Sequence, residues 1–343
     1  MNETVMHVIS HVKGRRKQAS MTEEFLTEKV VLKQSSFYPV ALTFYRGRLY
    51  LAWVGSDHCL NLMRSSDGGR SFDLSSQFTS QEQSRAKPAL AVYQDKLYIA
   101  WTGMGGLIYM MHSTDGGNTF DPSTKSASGE MTFSPLGIAA TLLLEQSHLR
   151  IDGPSLAVYQ DRLYVAWADP AHHPCMMCST DGGKTFNPAT KFVSQEVCYH
   201  LNMQSGDSPH PGPVLVVSEN RLHMAWIGSN LRPNFISSTN GGVSLDSATK
   251  WTVKEVSNEP LAFTNYKGHP LLAWRGVGLW NYINVLSFPT QQFNASSPVQ
   301  KWTSKEKASR ALALAANGDQ LVAAWTAGLM GHMCIAQCHL PLG

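Results

Sequence analysis

The sequence predicts an all-β protein: a six-bladed β-propeller of four-stranded antiparallel blades, its ring closed by an N-terminal strand that completes the last blade. Three observations predict it. A β-prone pentad ending in tryptophan recurs six times: LYLAW at Trp53, LYIAW at Trp101, LYVAW at Trp167, LHMAW at Trp226, PLLAW at Trp274 and LVAAW at Trp325. A glycine turn, SSDGGRSF (65–72), returns as STDGGNTF (113–120), STDGGKTF (179–186) and, weakened, STNGGVSL (238–245). The last unit runs out after its third strand, while a stretch with fourth-strand character, EKVVLKQ (28–34), precedes the first unit. Self-similarity at about 50 residues is what a propeller requires, since one sheet cannot bury both its faces alone.

The elements follow in order within each unit. In the second, PALAVY (88–93), a polar turn QDK, LYIAW, a variable loop and LIYMMHST (107–114) read as three successive strands. After the glycine turn comes a fourth: QFTSQEQ (77–83), KFVSQEV (191–197), KWTVKEV (250–256) and KWTSKEK (301–307). Residues 25–343 form the propeller, and 1–24 lie outside it as a flexible tail whose Met21 is an alternative natural start. Extra sequence joins blades two and three (135–152) and blades three and four (198–212). Within the first, GIAATLLLEQ reads equally as a short apolar helix over the mouth or as a cover for blade surface.

Composition narrows the function. The chain has 343 residues, 43% hydrophobic and only 15% charged, with a formal charge of +3. Its basic residues are scattered, which excludes a nucleic-acid groove; the one basic cluster, VKGRRK (12–17), reads as a solvated tail. No run reaches the roughly 20 apolar residues of a membrane span, and no secretion signal opens the chain, so a cytoplasmic protein or export by a non-Sec route is expected. Of six cysteines, Cys334 and Cys338 share one strand at about 13 Å, too far for a disulfide. HHPCMMC (172–178) resembles a metal site, but an odd separation on a strand sends Cys175 and Cys178 to opposite faces. No metal and no cofactor are expected.

In the glycine turn the aspartate suits capture of turn amides, the glycines allow positive φ, and the closing aromatic suits packing between sheets. The motif resembles the Asp-box (BNR repeat) of the sialidase, or neuraminidase, superfamily, with Asp67, Asp115 and Asp181 in the boxes of blades one to three and Asn240 in a degenerate fourth. The resemblance covers nearly the whole chain as architecture and implies that the box sits between third and fourth strands. There it shares a side with the first-to-second hairpins and plays a structural part. Any site then lies on the other side, among residues that do not repeat.

Candidate ligand-binding residues on that side are Tyr38, Arg85, Lys87, His210 and Arg310 at first-strand entries, with His172, His173, Arg232, Arg275, Trp280 and His332 in second-to-third loops. Asp57, Asp152, Glu259 and Tyr282 are the catalytic candidates, and His58 and Asp169 lie in the same loops. Arginines, histidines and aromatics ringing an axis suit a polar small molecule or glycan. The resemblance implies an arginine triad, a tyrosine nucleophile with a glutamate, and an aspartate acid/base. The chain departs from this: FYPVAL (37–42) puts Tyr38 where the family's first arginine is expected, and Arg85 falls in the second blade. Three readings follow. The first is a lectin-like carbohydrate-binding propeller without turnover. The second is a divergent glycoside hydrolase or lyase, with Asp57 or Asp152 as acid/base, Arg275 and Arg310 as clamps, and Tyr282 with Glu259 as a nucleophile pair. The third is a propeller of unrelated chemistry or a protein-interaction platform. The oligomeric state is left open.

Overall fold

The structure, a computed structural model, describes residues 24–132, 150–151, 153–199, 209–278, 281–289, 293 and 300–342. The tail, Met21 and the apolar stretch of the first insertion lie outside the described residues. The first strand, β1 (Leu26–Ser35), is followed by blade one: β2 (Ala41–Tyr45), β3 (Arg48–Val54), β4 (Cys59–Ser65) and β5 (Phe78–Gln83). Blade two comprises β6 (Ala89–Tyr93), β7 (Lys96–Thr102), β8 (Leu107–His112) and β9 (Ser126–Met131). After the short β10 (Arg150–Ile151), blade three holds β11 (Ser155–Tyr159), β12 (Arg162–Ala168), β13 (Pro174–Cys178) and β14 (Phe192–Val193). A second short strand, β15 (Pro209–His210), precedes blade four: β16 (Val214–Ser218), β17 (Arg221–Ile227), β18 (Pro233–Ser237) and β19 (Asp246–Thr252). Blade five is β20 (Ala262–Tyr266), β21 (His269–Arg275), β22 (Tyr282–Ser287) and β23 (Gln300–Lys307). Blade six has β24 (Ala313–Asn317), β25 (Gln320–Ala327) and β26 (His332–Cys338), and β1 completes it, antiparallel to β26 with Val31 opposite Cys334.

The pentads read as unbroken apolar runs because each second strand is buried on both faces. In β3, Leu49, Leu51 and Trp53 pack against blade six, while Tyr50 and Ala52 pack against blade two. The other tryptophans likewise face the preceding blade. All six are core, Trp53 at 2% exposure and the rest at 1% or less. In blades one to five the first-to-second hairpins turn tightly through two consecutive left-handed residues, such as Gln94 (φ 46°) and Asp95 (φ 53°), which matches strand twist.

Fourth strands are less regular than their sequence suggests. KFVSQEV forms a strand only at Phe192–Val193, and the strand expected at 250–256 spans Asp246–Thr252 instead. Just beyond Val193, Ser194 Oγ accepts the N–H of Glu196 at 3.1 Å. Ser80, Ser128 and Ser304 do the same to Glu82, Glu130 and Glu306, beside register shifts against their third strands. Cys175 and Cys178 do face different seams, and all six cysteines are free thiols. Burial pushes the Cys175 thiol up to about 12. No helix among the described residues is long and apolar enough to cross a membrane.

Candidate functional site

The repeated turns define one side of the ring. Ser179 Oγ donates to Asp181 Oδ1 at 2.8 Å and accepts the Gly183 N–H, while Asp181 takes the amides of Lys184 and Thr185 and the Thr185 hydroxyl. Asp67 and Asp115 repeat this network. Burial pushes the carboxyls of Asp67 and Asp181 up, but hydrogen bonds from the turn outweigh it and hold both down at about 2. Asn240 keeps the shape by accepting the Ser244 N–H and donating to the Ser244 hydroxyl. Each turn lies against the preceding blade: Gly116 beside Arg46, Gly182 beside Gln94, Gly241 beside Gln160, and Gly68 beside Gln320 of blade six. These neighbours sit in first-to-second hairpins or at their flanks, so the aspartates occupy the hairpin side. Their carboxylates are spent on the chain itself.

On the axis, the six inner strands line a cavity of about 110 Å³ through residues such as Ala41, Ala89, Leu156, Leu215, Ala262 and Leu314. That is well below the roughly 300 Å³ of a small-ligand pocket. The candidate residues gather instead at the mouth, on the side where the inner strands begin.

Serines preset the residues at that mouth. Ser257 Oγ accepts the Glu259 N–H and lies 3.1 Å from the carbonyls of Glu259 and Arg275; Ser36 serves Tyr38 and Val54 alike, and Ser84 serves Ala86. Counting back from the inner strands, Tyr38, Glu259 and Arg310 occupy equivalent places in blades one, five and six. Glu259 is 3% exposed and its Oε1 lies 3.4 Å from Arg275 Nη1, whose side chain is 14% exposed. The same nitrogen approaches Asn258 Oδ1, and Arg275 Nε donates to the Ala308 carbonyl at 3.0 Å. Arg310 Nε donates to the Phe37 carbonyl at 3.0 Å, stitching blade six to blade one.

Tyr38 stands between guanidiniums. Burial raises its phenol, against the opposing pull of Arg85 and then Arg310. Its ring meets that of His58 edge-on at 6.2 Å. Burial, and secondarily Arg85, push the His58 imidazole below its usual value, with Asp57 opposing. Among the described residues His58 Nδ1 is buried without a hydrogen-bond partner. Thus Arg275, Glu259, Arg310, Tyr38, His58 and Arg85 form an arc over blades five, six, one and two.

The remaining candidates fall elsewhere. Lys87 lines the cavity, and its carbonyl comes so near Gly153 that a Cβ there would lie 1.7 Å away. His210 stands four residues before β16, as Arg85 does before β6, and belongs to β15, which pairs in parallel with β10 and ties the two insertions together. Asp57 Oδ1 accepts the N–H of Cys59 within its own turn. Asp169 does the same for Ala171 and His173, and His173 Nδ1 meets the Glu196 carbonyl at 2.9 Å. His172 carries a left-handed φ of 66°. Arg232, on the loop between β17 and β18, and His332, the first residue of β26, are exposed and lie farther from the axis than the entries. Tyr282 lies under Lys307, 5.5 Å from its ring centre. Asp152 and Trp280 lie outside the described residues. Asn258 was not marked by any motif; only its place one residue before Glu259 points to it.

By sequence, no family model and no curated protein matches the chain. By structure, it is similar to a protein of unknown function from Dyadobacter fermentans at TM-score 0.60 and 13% identity, covering 92% of this chain and 98% of that one. It is also similar to Trypanosoma rangeli sialidase in complex with a difluoro-KDN, at TM-score 0.54 and 13% identity, over 88% of this chain. A leech intramolecular trans-sialidase matches at TM-score 0.57 and 9% identity, over 85% of this chain and 65% of that one. The chain spans only 53% of the trypanosomal enzyme. At such identities these likenesses show the fold alone, that of the sialidase-type six-bladed β-propeller.

Proposed function

We infer that the protein is an Asp-box propeller that binds an anionic carbohydrate at the mouth of its axis and does not cleave it. The carrying observation is charge. Arg85, Arg275 and Arg310 face the mouth region from three blades, while its buried carboxylate, Glu259, is already engaged by Arg275. Guanidiniums recognise carboxylates by forked, charge-assisted bonds, and Tyr38 supplies an aromatic face beside them. A trypanosomal sialidase of this fold binds the inhibitor DANA. Carrying a sialic-acid-like ligand over to this chain is part of the proposal.

The absence of turnover rests on the same groups. The tyrosine nucleophile candidate, Tyr282, lies under Lys307, and Glu259, the carboxylate that would activate it, is engaged by Arg275 instead. Asp57 is folded back onto its own turn. A glycan array carrying sialylated and uronic-acid glycans tests binding. Arg310→Ala is expected to weaken it about 10- to 100-fold, the worth of a charge-assisted bond. Release of 4-methylumbelliferone from a sialoside, abolished by Asp152→Asn, would replace this reading by the divergent hydrolase.

A further inference from the structure

The mouth side carries an apolar rim that binding of a sugar does not explain. The turn between β25 and β26 is Gly328-Leu329-Met330-Gly331, with both glycines left-handed, at φ 69° and 65°. Its two tip side chains are among the most exposed large apolar groups described, Leu329 at 98% and Met330 at 64%. The turn is held against blade one: Ser36 N donates to the Gly331 carbonyl at 2.9 Å, and a Cβ on Gly331 would lie 2.2 Å from Ser36 O. This brings Leu329 and Met330 toward Phe37, which is 48% exposed and whose carbonyl holds Arg310.

Blade two repeats the device. Its turn between β7 and β8, Gly103-Met104-Gly105-Gly106, presents Met104 at 39% exposure, with exposed Arg85 at the same blade's entry. The matching turns of blades three and four carry Asp169 and Asn230 instead. Apolar tips thus stand at these turns of blades six and two, with exposed Phe37 in the link that enters blade one.

We propose that this rim docks the propeller onto an anionic lipid bilayer, with Leu329, Met330, Phe37 and Met104 entering the interface and Arg310 and Arg85 meeting lipid headgroups. Three features favour a bilayer over a protein groove. The tips are narrow wedges rather than a flat or concave face. Ring symmetry sets equivalent loops at a common height, so that the turns of blades six and two meet one plane together. Cations stand beside the apolar tips, the combination that drives interfacial binding. The docking shares Arg85 and Arg310 with the glycan reading but rests on the apolar tips, which a sugar does not engage.

Flotation of the whole chain with vesicles of phosphatidylcholine containing about 30% phosphatidylserine tests it. The chain is expected to float with these vesicles and less with phosphatidylcholine alone. Leu329→Asp with Met330→Asp should lower partitioning at least about tenfold, since burial of one such side chain is worth that much. Val243→Asp, at a 64% exposed valine in the Asn240 turn on the opposite side, should change nothing. All substituted positions are exposed, and unchanged thermal unfolding would confirm that the variants are folded. Failure of the chain to float, or equal flotation of the double variant, would overturn the proposal. So would a lipid-free dimer in sedimentation velocity that Leu329→Asp dissolves, because a second copy would then be the occupant. Loss of glycan binding with flotation intact would sink only the functional reading.

Discussion

Asp181 and Asn240 perform one task with different chemistry, and the difference makes the turn testable. Both accept the hydroxyl of the serine two residues earlier, but Asp181 accepts from three further donors on Lys184 and Thr185, whereas Asn240 accepts one amide and donates to Ser244. Asp181→Ala is therefore expected to cost about 1–2 kcal/mol in urea unfolding, comparable to removing a helix cap, and Asp181→Asn clearly less. The pH dependence has a defined sign. The folded carboxyls of Asp67 and Asp181 sit at about 2, below the unfolded value near 4. Their stabilisation is complete above about pH 4 and is lost as pH falls toward 2, so the thermal midpoint should drop through that window less steeply in Asp181→Asn than in the parent. Gly183 illustrates a stricter constraint: at φ 83°, a Cβ would stand 2.6 Å from the Tyr98 hydroxyl. Gly183→Ala should cost at least about 1 kcal/mol in the same measurement.

Between elements, the fourth strands carry a second repeat that joins blade to blade. Lys125, Lys191, Lys250 and Lys301 each lie over the tryptophan of their own blade, at 5.4 to 5.9 Å from the ring centre. Each also pairs with a glutamate on the preceding blade: Glu82, Glu130, Glu196 and Glu255 respectively. Lys29 of β1 continues the series to Glu306 at 2.7 Å. At the seam between blades six and one the pair is Gln34 and Gln77, 3.1 Å apart. Such half-exposed pairs are individually weak, because solvent screens them and two long side chains must be ordered. A double-mutant cycle on Lys191 and Glu130 should give about 0.5 kcal/mol, falling in high salt. Gln34→Glu with Gln77→Lys should install the missing bridge and stabilise the closing seam by up to about 1 kcal/mol, read from the thermal midpoint. Removing β1 should do the reverse on a larger scale: β26 loses its partner, and the exposed strand edge should show as aggregation in size-exclusion chromatography.

At the scale of the molecule, the ring was readable and the site only partly so. Leu49, Leu51 and Trp53 announce a doubly buried strand because neither face of β3 sees solvent, and each copy of the pentad repeats that demand. The closing role of β1 was readable because blade six lacks a fourth strand of its own. Tyr38, Glu259 and Arg310 could be placed at strand entries by counting. Their partners could not, since Arg275 reaches the carbonyl of Ala308, 33 residues on, and Arg310 reaches Phe37, 273 residues back across the closed ring. Nor did any motif predict that β10 would pair with β15, because two-residue strands leave no periodic pattern. The amino-acid order alone determines the blade count, the strand order, the mode of closure and the side taken by the repeated turns, for these follow from local patterns that each blade restates. Only the tertiary structure decides which guanidinium neutralises Glu259 and which apolar tips share the mouth of the ring. Those are relations between blades, and curvature rather than sequence distance brings them together.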